Sequence, residues 1–108
     1  MTCKLIIMDM DGTLLTSQGE ISKRTYDALI KAQEKGIKVI LASGRSWKTL
    51  KAFGEQLRMP EFDGYFIGVN GAAITETKTM TNTVISQLQV DEIREIFEYA
   101  KEYEVEIM

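Results

Sequence analysis

Three short apolar runs alternate with two stretches of helical periodicity, and this alternation constrains the fold of the chain more than any other feature. The runs cover residues 3–8, 37–42 and 65–69. They read as near-continuous apolar segments, the pattern of strands buried on both faces of a parallel sheet. Between the first two, Ser22 is placed as a helix N-cap, and Ile21 and Tyr26 have the spacing of a hydrophobic staple. The helix expected there, about 22–35, carries Tyr26, Leu29 and Ile30 on one face, and Gly36 stops it from the C′ position. Between the second and third runs, a helix from about Ser46 carries Trp47, Leu50, Phe53 and Leu57, with Gly54 weakening its middle and Pro60 ending it. Strand–helix–strand–helix–strand with crossovers of this length is one half of a doubly wound α/β sheet.

After Asn70-Gly71 the pattern changes. Residues 73–77 and 83–87 read as the strands of a hairpin around a polar turn at 78–82. Asp91 is a candidate cap for a helix reaching about Tyr103, with Ile93, Ile96, Phe97 and Ala100 facing inward, and residues 105–108 open a further strand. A module boundary falls near residue 80, dividing the chain into 1–80 and 81–108.

Composition removes several classes of function. Thirteen basic against 16 acidic residues give a net charge of −3 with no basic block, which does not look like a nucleic-acid binder or a protein of anionic membranes. No stretch approaches the ~20 apolar residues of a membrane span. The apolar run after Lys4 is broken by Asp9 too early for a secretory leader. The single Cys3 allows no internal disulfide, reads as a small buried hydrophobe at a strand start, and fits a reducing, cytoplasmic compartment. The chain has no histidine, so histidine-dependent nucleophilic triads and zinc–histidine sites are excluded.

The chemistry concentrates at the ends of the first two runs. Asp9 and Asp11 lie two residues apart behind the first, a spacing that points side chains the same way on an extended segment. Two like charges held together need a partner, and a hard divalent cation is the usual one. Ser43-Gly44-Arg45 closes the second run. Neighbouring strands lie ~4.8 Å apart, so adjacency would put both groups in one crevice at the carboxyl edge of the sheet. There Ser43 offers a donor, Gly44 lets the backbone approach a ligand, and the free N–H groups of the next helix favour an anion. Carboxylates, a cation and an anion cradle fit together around a metal-bridged phosphate. One carboxylate can attack phosphorus to give an acyl-phosphate, and a second can protonate the leaving oxygen and later activate water. A calcium loop is the competing reading, since Asp9, Asp11 and Glu20 fall at positions 1, 3 and 12 of an EF-hand. However, Leu14 stands where that loop needs glycine.

Asp9-Met10-Asp11-Gly12-Thr13-Leu14-Leu15 resembles motif I of the haloacid dehalogenase-like phosphatases, and Leu41-Ala42-Ser43-Gly44-Arg45 is similar to their motif II. Val69-Asn70-Gly71-Ala72 resembles a further element of the Cof-type subfamily, whose members carry an α/β cap after the third strand. The resemblance implies a Rossmann-like α/β core over 1–80 and the beginning of the cap over 81–108. It implies a magnesium-dependent phosphomonoester hydrolase acting on small phosphorylated metabolites. Asp9 would be nucleophile and magnesium ligand. Asp11 would be general acid/base, with its backbone carbonyl also on the metal. Ser43 and Gly44, with Met10 and Asp11, would hold the phosphoryl group. Thr13 would orient the loop, and Arg45 and Asn70 would lie near the site. The lysine of the family's third motif and the acidic fourth motif have no counterpart, and no Gly-Asp-x-x-x-Asp pattern occurs. The chain therefore reads as an N-terminal fragment, poorly active or inactive alone. Its first strand, central in the family, would become an open apolar edge that favours self-association. The alternatives are a receiver-like phospho-acceptor or other phosphate-binding module, disfavoured by Asn70 where a receiver carries its acceptor carboxylate, and an inactive gene remnant.

Overall fold

The structure is a computed structural model and describes residues 2–107. Its elements are β1 (Leu5–Asp9), α1 (Lys23–Glu34), β2 (Lys38–Ala42), α2 (Trp47–Gln56), β3 (Tyr65–Gly68), β4 (Ala73–Glu76), β5 (Thr81–Val84) and α3 (Val90–Ala100). The five strands form one sheet in the order β1-β2-β3-β4-β5. β1, β2 and β3 run parallel, with Asp9 opposite Ala42 and Ala42 opposite Ile67. β4 and β5 follow antiparallel. The α/β architecture expected from the alternating runs is therefore present, as a mixed five-stranded sheet.

Local signals explain how the helices begin and end. Ser22 accepts from the Thr25 N–H and caps α1. At the other end Gly36, at φ 86°, lets its own N–H reach the Gln33 carbonyl at 2.9 Å and the Ile37 N–H reach the Ala32 carbonyl at 3.0 Å. These are the two bonds of a Schellman stop. α2 ends before Pro60 rather than at it. Arg58 takes a left-handed conformation, and Pro60 sits inside a short turn, Met59–Phe62.

One face of the sheet carries the core. Val39 and Leu41 of β2 and Phe66 of β3 pack with Leu29 of α1, Leu50 of α2 and the following Leu57 and Met59. Parallel register puts Ile6 and Met8 on this same face and turns Leu5 and Ile7 to the other. That other face is open at β1, where Leu5 is 49% and Ile7 55% exposed. The first run thus reads as a strand buried on both faces but is covered on one. Gly54 also has a tertiary reason to be there: a Cβ on it would lie 2.4 Å from Cζ of Phe66, so its absence lets α2 settle onto β3.

The segment after Asn70 departs from expectation at several points. β5 occupies Thr81–Val84 rather than 83–87, because Glu76 pairs with Thr81 across a shorter turn. Gln89, not Asp91, caps α3, through a capping box with Glu92. The helix stops at Ala100, and Ile93, Ile96 and Phe97 are about half exposed instead of facing inward, since among the described residues no layer covers them. Residues 105–107 form no strand, and Met108 lies outside the described residues. Cys3 is exposed rather than buried. The radius of gyration, 17.0 Å, exceeds the about 13 Å of a compact chain of this length, in keeping with α3 projecting from the core. Among the described residues no helix is long and apolar enough to cross a membrane.

Candidate functional site

The site is built where β1, β2 and β3 end side by side. At the tip of β1, Asp9 accepts a hydrogen bond from the Met10 N–H on Oδ1 at 2.8 Å. The chain then leaves the sheet through a wide turn over Met10–Leu14, closed by the Leu15 N–H on the Met10 carbonyl at 2.9 Å. Met10 is fully buried and anchors this turn, and Gly12 supplies its positive φ of 77°.

At the tip of β2, the Ser43 N–H still bonds to β3, on the Ile67 carbonyl at 2.9 Å. The Ser43 Oγ accepts from the Arg45 N–H at 3.1 Å, which shapes the Ser43-Gly44-Arg45 loop. Ser46 follows as N-cap of α2 and makes no side-chain cap bond, so the first turn of α2 has no side-chain acceptor from its cap. At the tip of β3, Val69 (φ 50°) and Asn70 (φ 53°) are both left-handed. Such conformations cost on the order of 1–3 kcal/mol each and persist only where surrounding contacts hold them. Here the holding contacts are the Val69 N–H on the Arg45 carbonyl at 3.0 Å and the Asn70 N–H on the Ser43 carbonyl at 3.2 Å.

Between these tips lies a cleft of about 420 Å³ lined by Asp9, Ala42, Ser43, Gly44, Ile67, Asn70 and Gly71. Four of the residues singled out from the sequence, Asp9, Ser43, Gly44 and Asn70, therefore share one cavity at the carboxyl edge of the sheet. Met10, Asp11, Thr13 and Arg45 do not line it. β1 ends at Asp9, so strand alternation does not extend to Asp11. The Asp11 carboxylate turns instead to Arg45, whose Nη2 donates to Oδ1 at 2.9 Å and to Oδ2 at 3.1 Å. Thr13 is exposed. Ala42, Gly71 and Ile67 line the cleft without having been singled out as site residues; Ala42 and Gly71 stand inside the motif segments quoted above, and Ile67 stands outside them. It is the third residue of β3 and opposite Ala42, a neighbour visible only once the register is known.

Comparison with known proteins gives consistent matches. A family model described as haloacid dehalogenase-like hydrolase matches residues 6–108. YxeH of Bacillus subtilis (strain 168) is 35% identical over 101 residues, which are 92% of this chain and 37% of YxeH. YcsE of the same organism, a 5-amino-6-(5-phospho-D-ribitylamino)uracil phosphatase, is 36% identical over 74 residues, 68% of this chain and 28% of YcsE. The crystal structure of a haloacid dehalogenase-like hydrolase from Bacteroides thetaiotaomicron matches with a TM-score of 0.83 at 36% identity, covering 94% of this chain and 38% of that one. The chain spans about a third of the length of the relatives it matches.

Proposed function

Because the chain belongs to the haloacid dehalogenase-like hydrolases, we propose that it carries the nucleophile and phosphate cradle of a magnesium-dependent phosphomonoester hydrolase. The observation that carries this reading is the shared cleft of Asp9, Ser43 and Gly44. In the first step an Asp9 oxygen attacks phosphorus, the bond from phosphorus to the ester oxygen breaks, and Asp11 gives its proton to the departing oxygen. In the second, Asp11 takes a proton from water, whose oxygen displaces Asp9 from phosphorus and releases inorganic phosphate. Ser43 and the Gly44 N–H hold the phosphoryl oxygens, with Met10 and Asp11 contributing backbone. Thr13 steadies the loop, and Asn70 borders the same cleft.

The available donors are oxygen atoms, which suits a hard cation: the Asp9 carboxylate and the Asp11 backbone carbonyl would hold magnesium. Bound there, the ion offsets repulsion between the carboxylate and the phosphate. Among the described residues no cluster of three or more acidic or other metal-binding side chains is present. Asp9 and Asp11 would supply only part of the oxygen shell such a cation needs, and the 108 residues alone would hold it weakly and turn over phosphate esters poorly or not at all. A phosphatase relative is named for a phosphorylated small molecule, which supports a small phosphorylated metabolite as the substrate class. The same reading assigns residues 1–80 to the catalytic core and 81–108 to the beginning of a cap, in a cytoplasmic protein.

The test has two arms. Hydrolysis of p-nitrophenyl phosphate with magnesium should not exceed that of the Asp9→Asn variant; clear turnover lost on Asp9→Asn would overturn the inactivity of the chain alone. Acetyl phosphate with magnesium should add one phosphoryl group, read by intact-mass spectrometry. An addition that survives Asp9→Asn would overturn the assignment of the nucleophile.

A further inference from the structure

We infer that the left-handed pair Val69–Asn70 is the positioning element of the phosphate cradle, aiming the Gly44 N–H at the Asp9 side of the cleft. The inference rests on the phosphate reading above and gives β3, which contributes no charged group, a task in the same site. The sheet order puts β1 and β3 on opposite flanks of β2. The Asn70 N–H holds the Ser43 carbonyl at 3.2 Å, so that carbonyl points to the β3 flank. No peptide bond in the described chain is cis. In a planar trans peptide the C=O and the N–H of the next residue point in opposite directions. The Gly44 N–H therefore points to the β1 flank, where Asp9 ends its strand, and no described residue accepts a backbone hydrogen bond from it.

Two peptides further on, the loop is held in the same way. The Val69 N–H holds the Arg45 carbonyl at 3.0 Å, which sends the Ser46 N–H away from β3 as well. The close approach of the two loops depends on missing side chains. A Cβ on Gly68 would lie 2.9 Å from the Arg45 carbonyl oxygen, and one on Gly44 would lie 3.0 Å from Oδ1 of Asn70. Val69, a β-branched residue at φ 50° and half exposed, has no conformational reason of its own to be left-handed. Its geometry is imposed by the two N–H bonds to the loop, the situation in which strain collects at ligand sites.

The test is a titration of the 15N-labelled chain with inorganic phosphate and magnesium, following the Gly44 amide. Val69→Gly keeps the N–H and accepts a positive φ, so its phosphate affinity should match that of the unaltered chain. Val69→Pro removes the N–H and forces φ negative; its affinity should fall about tenfold or more, the loss expected for a charge-assisted hydrogen bond. Equal affinity of the two variants would overturn the inference. Hydrogen exchange on the unaltered chain gives a second measurement should Val69→Pro fail to fold. The Val69 and Asn70 amides should exchange slowly and the Gly44 amide fast. Fast exchange at 69 and 70 overturns the positioning role, whereas slow exchange there with a Gly44 resonance indifferent to phosphate overturns the phosphate reading instead.

Discussion

The guanidinium of Arg45 and the carboxylate of Asp11 form an ion pair in which a single nitrogen, Nη2, donates to both carboxylate oxygens. The pair ties the turn after β1 to the loop after β2. Its contribution to folding is small, because the Asp11 side chain is 74% exposed. Arg45→Ala should change the unfolding free energy by less than about 1 kcal/mol, measured by urea denaturation. A loss of several kcal/mol would mean that the pair is a structural strut rather than a feature of the site.

Gly54 offers a sharper test, because two effects oppose each other. Replacing glycine by alanine inside a helix gains about 1 kcal/mol of propensity. Here the new Cβ would stand 2.4 Å from Cζ and 2.8 Å from Cε1 of Phe66, itself buried. Overpacking of this kind costs about 1–3 kcal/mol, so Gly54→Ala should be destabilising overall by up to about 2 kcal/mol. A raised melting temperature would contradict the close seating of α2 on β3.

The Ser22 cap is local and its effect should be local too. Ser22→Ala removes the acceptor of the Thr25 N–H at 3.2 Å and should cost about 1 kcal/mol. Ser22→Asp should restore most of it. Thermal unfolding of the three proteins checks both statements, and an unchanged midpoint in Ser22→Ala would contradict them.

β1 is an edge strand with Leu5 and Ile7 exposed on the uncovered face. Long, apolar, unpaired edges recruit other strands, and charged residues blunt them. The chain should therefore self-associate as its concentration rises, and Ile7→Lys should reduce this. Light scattering reads the outcome. A monodisperse monomer at high concentration in the unaltered chain would contradict the expectation.

What the sequence makes legible here is what local physics determines. The three apolar runs, the Ser22 cap and the Gly36 stop each act within a few residues of themselves, and all three appear in the structure. So does the meeting of Asp9 with Ser43, because strand ends in a parallel sheet gather at one edge. The rest depends on partners distant in sequence. Leu5 and Ile7 look doubly buried only if a second layer exists, and among the described residues none covers them. Ile93, Ile96 and Phe97 have the right spacing for an inward face, but spacing cannot say what lies opposite. β5 reads Thr-Asn-Thr-Val and is exposed throughout, so no apolar alternation marks its register and the turn before it decides. Gln33, polar yet buried, donates to the Leu57 carbonyl at 2.8 Å, a bond between α1 and the end of α2 that no local pattern announces. The Arg45–Asp11 pair belongs to the same class.

The most direct test of the central claim, that Asp9 and Ser43 act on one phosphoryl group, is 19F NMR of the chain with magnesium and beryllium trifluoride, a mimic of an acyl-bound phosphoryl group. A bound fluoride resonance is expected that is absent in Asp9→Asn and, because the hydroxyl donor is lost, about tenfold less populated in Ser43→Ala at the same concentration. A bound resonance that survives Asp9→Asn, or that is indifferent to Ser43→Ala, would contradict the claim.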